Sequence, residues 1–139
     1  MATEWVAPPS GTPCWINLFA TDVSRAQRFY EDAFGWKFRD LTKPHHGTSK
    51  DPNEIALFEF GSRSPGGGIT RVDQVVSTKG KGGAVLYLIV DDIDAAMKKV
   101  IAAGGKQMTE VEPEGKGAVM QHFEDTEGNY GGLYQLKHE

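Results

Sequence analysis

Apolar positions along this chain fall into short alternating runs and two helix-like runs, and the two kinds recur in the same order. Cys14 to Ala20 reads as a strand, and Asp22 then stands where a helix N-cap belongs. Ala26, Phe29, Tyr30 and Ala33 follow at i, i+3, i+4 and i+7, which places one apolar stripe on a 3.6-residue helix that Gly35 ends. The order returns with strand Val85 to Val90, cap Asp92, a helix carrying Ile93, Ala96, Met97 and Val100, and a stop at Gly104 and Gly105. At an offset of 70 residues Leu18 meets Leu88, Asp22 meets Asp92, Ala26 meets Ala96, Ala33 meets Ala103 and Gly35 meets Gly105. Strand-like runs follow each helix: Trp36 to Asp40, Ile55 to Phe60 and Gly68 to Val76, then Lys106 to Val111, Ala118 to Phe123 and Gly132 to Leu136. Each half therefore reads βαβββ.

A unit of this kind has one helix and covers only one face of its sheet, so two copies pack together and leave the other faces open. The predicted fold is α+β, with two βαβββ modules around a concave trough. Module 1 spans about 14–76, a glycine-rich flexible linker 77–83, and module 2 about 84–137.

Composition narrows the partners. A chain of 139 residues, 24% charged and 39% apolar, makes one domain with one core. The net charge of -4, without a basic stripe, argues against nucleic acid. No run is long enough to span a membrane and no basic leader precedes an apolar stretch, so a soluble cytoplasmic protein is expected. Cys14 is the only cysteine; it can form no intrachain disulfide or thiolate cluster, and is expected to be a small buried residue.

The runs Asp22-Val-Ser-Arg-Ala-Gln-Arg-Phe-Tyr30, Phe34-Gly-Trp36, Val90-Asp-Asp-Ile-Asp94, Gly104-Gly105 and Asp125-Thr-Glu-Gly-Asn129, in this order and on top of the repeat, resemble the vicinal oxygen chelate superfamily of glyoxalases, bleomycin-resistance proteins and extradiol dioxygenases. The resemblance covers the chain from Cys14 onward. It implies the trough fold and small-molecule binding, and it permits a homodimer. It does not choose a reaction. Metal-dependent relatives hold a divalent ion with a His on the first strand and a Glu on the last strand of each half. Counted along this sequence, those positions fall on Trp15, Gly68, Val85 and Gly132. None of these side chains is a metal donor, so no metal and no other cofactor is expected.

Strand alternation turns Trp15, Asn17 and Phe19 toward the trough, with Val85, Tyr87 and Ile89 in the second half and Tyr130, Gly132 and Tyr134 on the last strand. Trp15, Asn17, Phe19, Tyr87, Tyr130 and Tyr134 are the ligand-binding candidates, an aromatic lining suited to a ring-containing molecule. Candidate catalytic groups are His122, Glu59 and Tyr87. His122 is a candidate because an imidazole ordinarily exchanges its proton near neutral pH, but alternation alone leaves open which face it occupies. Glu59, between Phe58 and Phe60, is read either as a buried carboxylate or as a solvent-facing one. Asp22 and Asp92 read as caps and Asp125 to Asn129 as a tight turn. His45 and His46 sit in a polar run, Leu41 to Asn53, read as a mobile solvated loop. Two readings remain level: a metal-independent isomerase, cyclase or lyase, and a protein that binds or sequesters a small molecule without turnover. A metal-dependent lyase or dioxygenase conflicts with all four ligand positions.

Overall fold

The computed structural model describes residues 6–41, 51–61 and 65–137; His45 and His46 lie outside them, as does most of the Leu41 to Asn53 run. The elements follow the sequence repeat. In module 1, β1 (Ile16–Ala20), α1 (Val23–Phe34), β2 (Lys37–Phe38), β3 (Ile55–Glu59) and β4 (Gly67–Arg71) form a sheet in the order β1-β4-β3-β2. Module 2 has β5 (Leu86–Ile89), α2 (Ile93–Ala102), β6 (Lys106–Gln107), β7 (Glu112–Glu114), β8 (Ala118–Glu124) and β9 (Tyr130–Leu136). Its sheet runs β5-β9-β8-β6, with β7 also on β8. In each sheet the first strand lies parallel to the last, and the remaining pairs are antiparallel.

The helix ends are set by the residues that the pattern singles out. Asp22 accepts the Arg25 N–H at 3.0 Å, and Asp92 accepts the Ala95 N–H at 3.1 Å, so each side chain satisfies an otherwise unpaired donor of the first turn. The Gln135 side chain adds an acceptor for the Ile93 N–H at 2.8 Å. Gly35 closes α1 in the left-handed conformation, φ 68°. In the second copy that conformation falls one residue early, on Gly104 at φ 102°, while Gly105 lets the chain pass close to Val100 and the Glu124 carbonyl.

The helix-facing rows build one core. Leu18 is opposite Ile69 and Leu88 is opposite Leu133, and both last-strand partners are fully buried. Aromatic rings fill the core of module 1, where Tyr30 stacks on Trp36 at 4.4 Å and Trp36 meets Phe58 at 4.5 Å, and Phe34 extends the cluster to Phe123 of module 2 at 5.5 Å. The modules join through α1 against α2 and through the turn after β8. Both sheets keep their helix-free faces exposed.

Three expectations change in detail. Cys14 is exposed, because β1 begins at Ile16 and leaves it in an unpaired lead-in. The run after α2 is two strands, with the chain bulging at 108–111 before Glu112 pairs with Met120. The linker 77–83 is seated on module 2, where the Ser77 hydroxyl donates to Glu124 at 2.6 Å.

Candidate functional site

Tyr87, Gly132 and His122 form one row across three neighbouring strands, since Tyr87 pairs with Gly132 and Gly132 pairs with His122. The row lies on the face of sheet 2 that α2 does not cover: Val119, Gln121 and Phe123 of β8 are buried, and His122 alternates to the other side. That settles the face left open by the sequence. Gly132 carries no side chain, so the Tyr87 ring lies directly over it, closer than any Cβ could tolerate. The phenol reaches across the missing side chain, and Tyr87 Oη stands 2.7 Å from His122 Nε2.

The bulge after β6 sets the other end of the imidazole. Thr109 Oγ1 accepts the His122 backbone N–H at 2.9 Å and lies 3.4 Å from His122 Nδ1. With Nδ1–H directed at that oxygen, Nε2 is the acceptor for the Tyr87 hydroxyl. Tyr130 stacks on the imidazole, with centroids 5.1 Å apart and planes 22° from parallel. Burial pushes the Tyr130 phenol up, with Tyr87 and Glu112 adding to the rise. Tyr134 stands on the same face, opposite Met120.

Module 1 carries the equivalent row Asn17, Gly68, Leu57 without a titratable pair. The Trp15 indole packs over Gly68, with Cζ2 3.4 Å from where a Cβ would stand, and it remains 54% exposed. Asn17 Oδ1 accepts the Thr70 hydroxyl at 3.2 Å, which leaves the amide N–H donors of Asn17 for another partner. Phe19, 44% exposed, completes this face. Glu59 is on the outer face at the end of β3 and takes Arg39 in an ion pair at 3.0 Å. It belongs to the other sheet from Tyr87 and His122. A cleft of about 1190 Å³ runs between the modules, walled by Phe34, Trp36 and Phe60 on one side and Leu86 and Leu88 on the other, and Glu59 and Tyr87 both reach it.

Among the described residues no group of three or more His, Cys, Asp or Glu could hold a metal ion. The donor chemistry at the four inherited positions agrees: an indole, two glycines filled by neighbouring rings, and a valine do not fit a divalent ion.

The sequence reading missed a second polar cluster, at the joint between modules. Asp125 is buried and accepts the Tyr30 hydroxyl at 2.6 Å, the Asn129 side-chain amide at 2.8 Å, and the backbone N–H of Glu127 and Asn129. Glu127 accepts the backbone N–H of Thr21 and Asp22 and holds Arg25 at 2.7 Å. These residues position module 2 against the end of β1 and the start of α1, the Asn129 amide also donating to the Phe19 carbonyl at 2.8 Å. No helix of the described residues is long and apolar enough to cross a membrane.

Comparison with known proteins agrees with this architecture. The model of the Glyoxalase/Bleomycin resistance protein/Dioxygenase superfamily matches residues 13–130. A glyoxylase-like domain-containing protein of Didymella fabae is 38% identical over 116 residues, covering 82% of this chain and 85% of the relative. A Mycobacterium bovis protein named as a glyoxylase, CFP32, is 31% identical over 128 residues; the match takes 90% of this chain but only 46% of that longer protein. Among solved structures, a glyoxalase-related enzyme from Fulvimarina pelagi superposes with a TM-score of 0.66 at 19% identity, covering 90% of this chain and 88% of that one. The fosfomycin resistance protein FosX of Listeria monocytogenes also gives 0.66, at 14% identity, with coverage of 94% and 96%. At these identities the structural likeness speaks for the fold.

Proposed function

Since the chain belongs to the glyoxalase/bleomycin resistance protein/dioxygenase superfamily, we propose that it binds a small ring-containing organic molecule on its exposed aromatic faces and moves a proton on it without a metal ion. The observation that carries this reading is the 2.7 Å contact between Tyr87 Oη and His122 Nε2 across Gly132.

The pair has the parts of a proton-transfer isomerase. A ligand carbonyl entering beside Tyr87 takes the phenol hydrogen bond, which frees Nε2 to accept a proton from the carbon next to that carbonyl. The electron pair of the broken C–H bond moves onto the carbonyl, and its oxygen takes the tyrosine proton to give the enol. Tyrosinate and imidazolium are left side by side, and one proton passed along their hydrogen bond restores the pair. Return of a proton at the other carbon or the other face completes an isomerisation. Tyr130 stacked on His122 and the exposed Trp15 supply flat surfaces for the ring.

Two exposed half-faces in one chain also favour a homodimer in solution. A second copy that covers Trp15, Phe19, Tyr87 and Ile89 closes the trough and removes the unpaired edges of β1 and β5.

The test is deuterium incorporation from D2O into 2-tetralone, followed by NMR with chelator-treated protein. Exchange that Tyr87→Phe and His122→Gln each reduce supports the isomerase reading. Binding of the ketone without exchange points to a sequestering protein instead. Exchange that appears only after a divalent metal is added overturns metal independence.

A further inference from the structure

We propose that the turn Thr78 to Lys81, in the segment that joins the two modules, is an anion-recognition element over the aromatic face, with Lys79 and Lys81 taking a carboxylate or similar oxyanion carried by the ring-bearing ligand. The inference rests on Tyr130 and His122 being the ring-binding platform proposed above.

The turn is built for its place. The Lys81 N–H donates to the Thr78 carbonyl at 2.9 Å, and both central residues have positive φ, 52° at Lys79 and 76° at Gly80. That is the pattern of a type I′ turn, whose first central position favours Asn or Gly. Lys79 is the one non-glycine residue with positive φ among the described residues. A lysine there accepts a backbone cost that glycine avoids, and such outliers cluster where a side chain has a task. The tip of the turn rests on the platform: a Cβ on Gly80 would stand 2.9 Å from Tyr130 Cζ and 3.0 Å from its oxygen. The Ser77 hydroxyl pins the base of the turn to Glu124, the residue opposite Tyr130.

Charge gives the turn its meaning. The aromatic face carries carboxylates at its edge, Glu124 opposite Tyr130 and Glu112 opposite Met120. Neither residue on that edge attracts an anion. Lys79 and Lys81 flank the glycine that touches Tyr130, both are exposed, and neither forms an ion pair with a described residue. A ring lying on Tyr130 and His122 with an oxyanion at its border meets these two ammonium groups, whereas the same ring with a neutral amide gains nothing from them.

NMR titration of the full chain with 2-naphthoate and with neutral 2-naphthamide tests this, following the ring signals of His122 and Tyr130. The wild type should bind the carboxylate about three- to tenfold more tightly, the range of one or two solvent-exposed charge contacts, with the margin shrinking at high salt. Lys79→Gly combined with Lys81→Ala should abolish the margin and leave the amide unaffected; glycine relaxes the turn, so the change reads charge. Lys79→Arg should retain the margin, and Lys98→Ala, on the exposed side of α2, should not alter it. Equal binding of both probes by the wild type, or a margin that survives the double variant, overturns the anion role and spares the platform. If neither probe perturbs the His122 and Tyr130 signals, the platform falls and this inference falls with it.

Discussion

Tyr87 and His122 touch although a whole strand separates them, because the residue between them in the row is Gly132. Neighbouring strands lie roughly 4.8 Å apart, so side chains two strands away meet only over a position that has none.

Gly132→Ala should therefore disable the pair without unfolding the protein. The added methyl overlaps the Tyr87 ring, which is 42% exposed and has room to swing outward. Stability should change by about 1 kcal/mol or less, while the Tyr87 to His122 ring contact seen by NMR and any proton exchange are lost. Gly131→Ala makes the contrast. Its Cβ would stand 2.7 Å from the buried Phe123 ring, so the core must give, at about 1–3 kcal/mol in urea denaturation. Equal destabilisation by both variants would mean that Tyr87 is fixed by packing and not by the glycine gap.

Trp15 should report ligand binding by fluorescence, since its indole covers Gly68 and keeps its outer side open. Trp15→Ala should weaken a naphthalene probe by about 1–3 kcal/mol, the range for losing a large stacking surface. Trp15→His should not create a tight metal site, because Gly68, Val85 and Gly132 still offer no donor. Elemental analysis of the purified wild type is expected to find no stoichiometric zinc, nickel, manganese or iron.

The repeat made most of the fold legible. Caps at Asp22 and Asp92 and the apolar stripes lie within local windows, the 70-residue offset of Leu18 and Leu88 shows that the windows repeat, and alternation then assigned Trp15, Asn17, Phe19, Tyr87, Tyr130 and Tyr134 to helix-free faces. Local reading stopped at β8. There Gln121 is buried, its amide donating to the Thr109 carbonyl, while Met120 alternates to the other face, so polarity no longer marks which side is inside. The face of His122 depends on that tertiary partner. The bond between Tyr30 and Asp125 joins residues 95 apart and leaves no periodic trace. The seat of the linker on Tyr130 was hidden because glycine-rich composition describes a chain's freedom and says nothing about what it rests on.

Tyr30→Phe should cost about 1–3 kcal/mol at neutral pH, the penalty for removing a donor from a buried carboxylate. Burial raises the Asp125 carboxyl above its ordinary value, against the hydrogen bonds from Tyr30, Asn129 and the turn backbone. Without the phenol, burial is opposed by one bond fewer and the carboxyl should rise further. Carbon-detected NMR titration of the Asp125 carboxyl checks it, and an unmoved titration would show that Tyr30 contributes packing alone.

Glu127 should give the fold an acid-sensitive limb. Burial alone would raise this carboxyl, but hydrogen bonds from Arg25, the Asp22 backbone and Thr126 outweigh it and hold it at about 2, against an ordinary 4.5. A carboxyl depressed by folding contributes stability above its unfolded pKa, and the contribution drains away as pH falls from about 4.5 toward about 2. Asp125 works in the opposite direction: its raised carboxyl favours the fold below its unfolded value and loses that contribution as pH rises. That contribution is common to wild type and Glu127→Gln, so their difference isolates Glu127. Arg25, whose hydrogen bond lowers the carboxyl most, is 45% exposed, so solvent screening discounts its share, while the backbone N–H groups of Thr21 and Asp22 hold the same carboxylate from the buried side. Glu127→Gln should thus cost about 2 kcal/mol at neutral pH, where the charged acceptor is lost, and much less at about pH 3. Urea denaturation at both pH values measures the two gaps. A gap that stays constant on acidification would show that Glu127 holds the joint between modules by shape and not by charge.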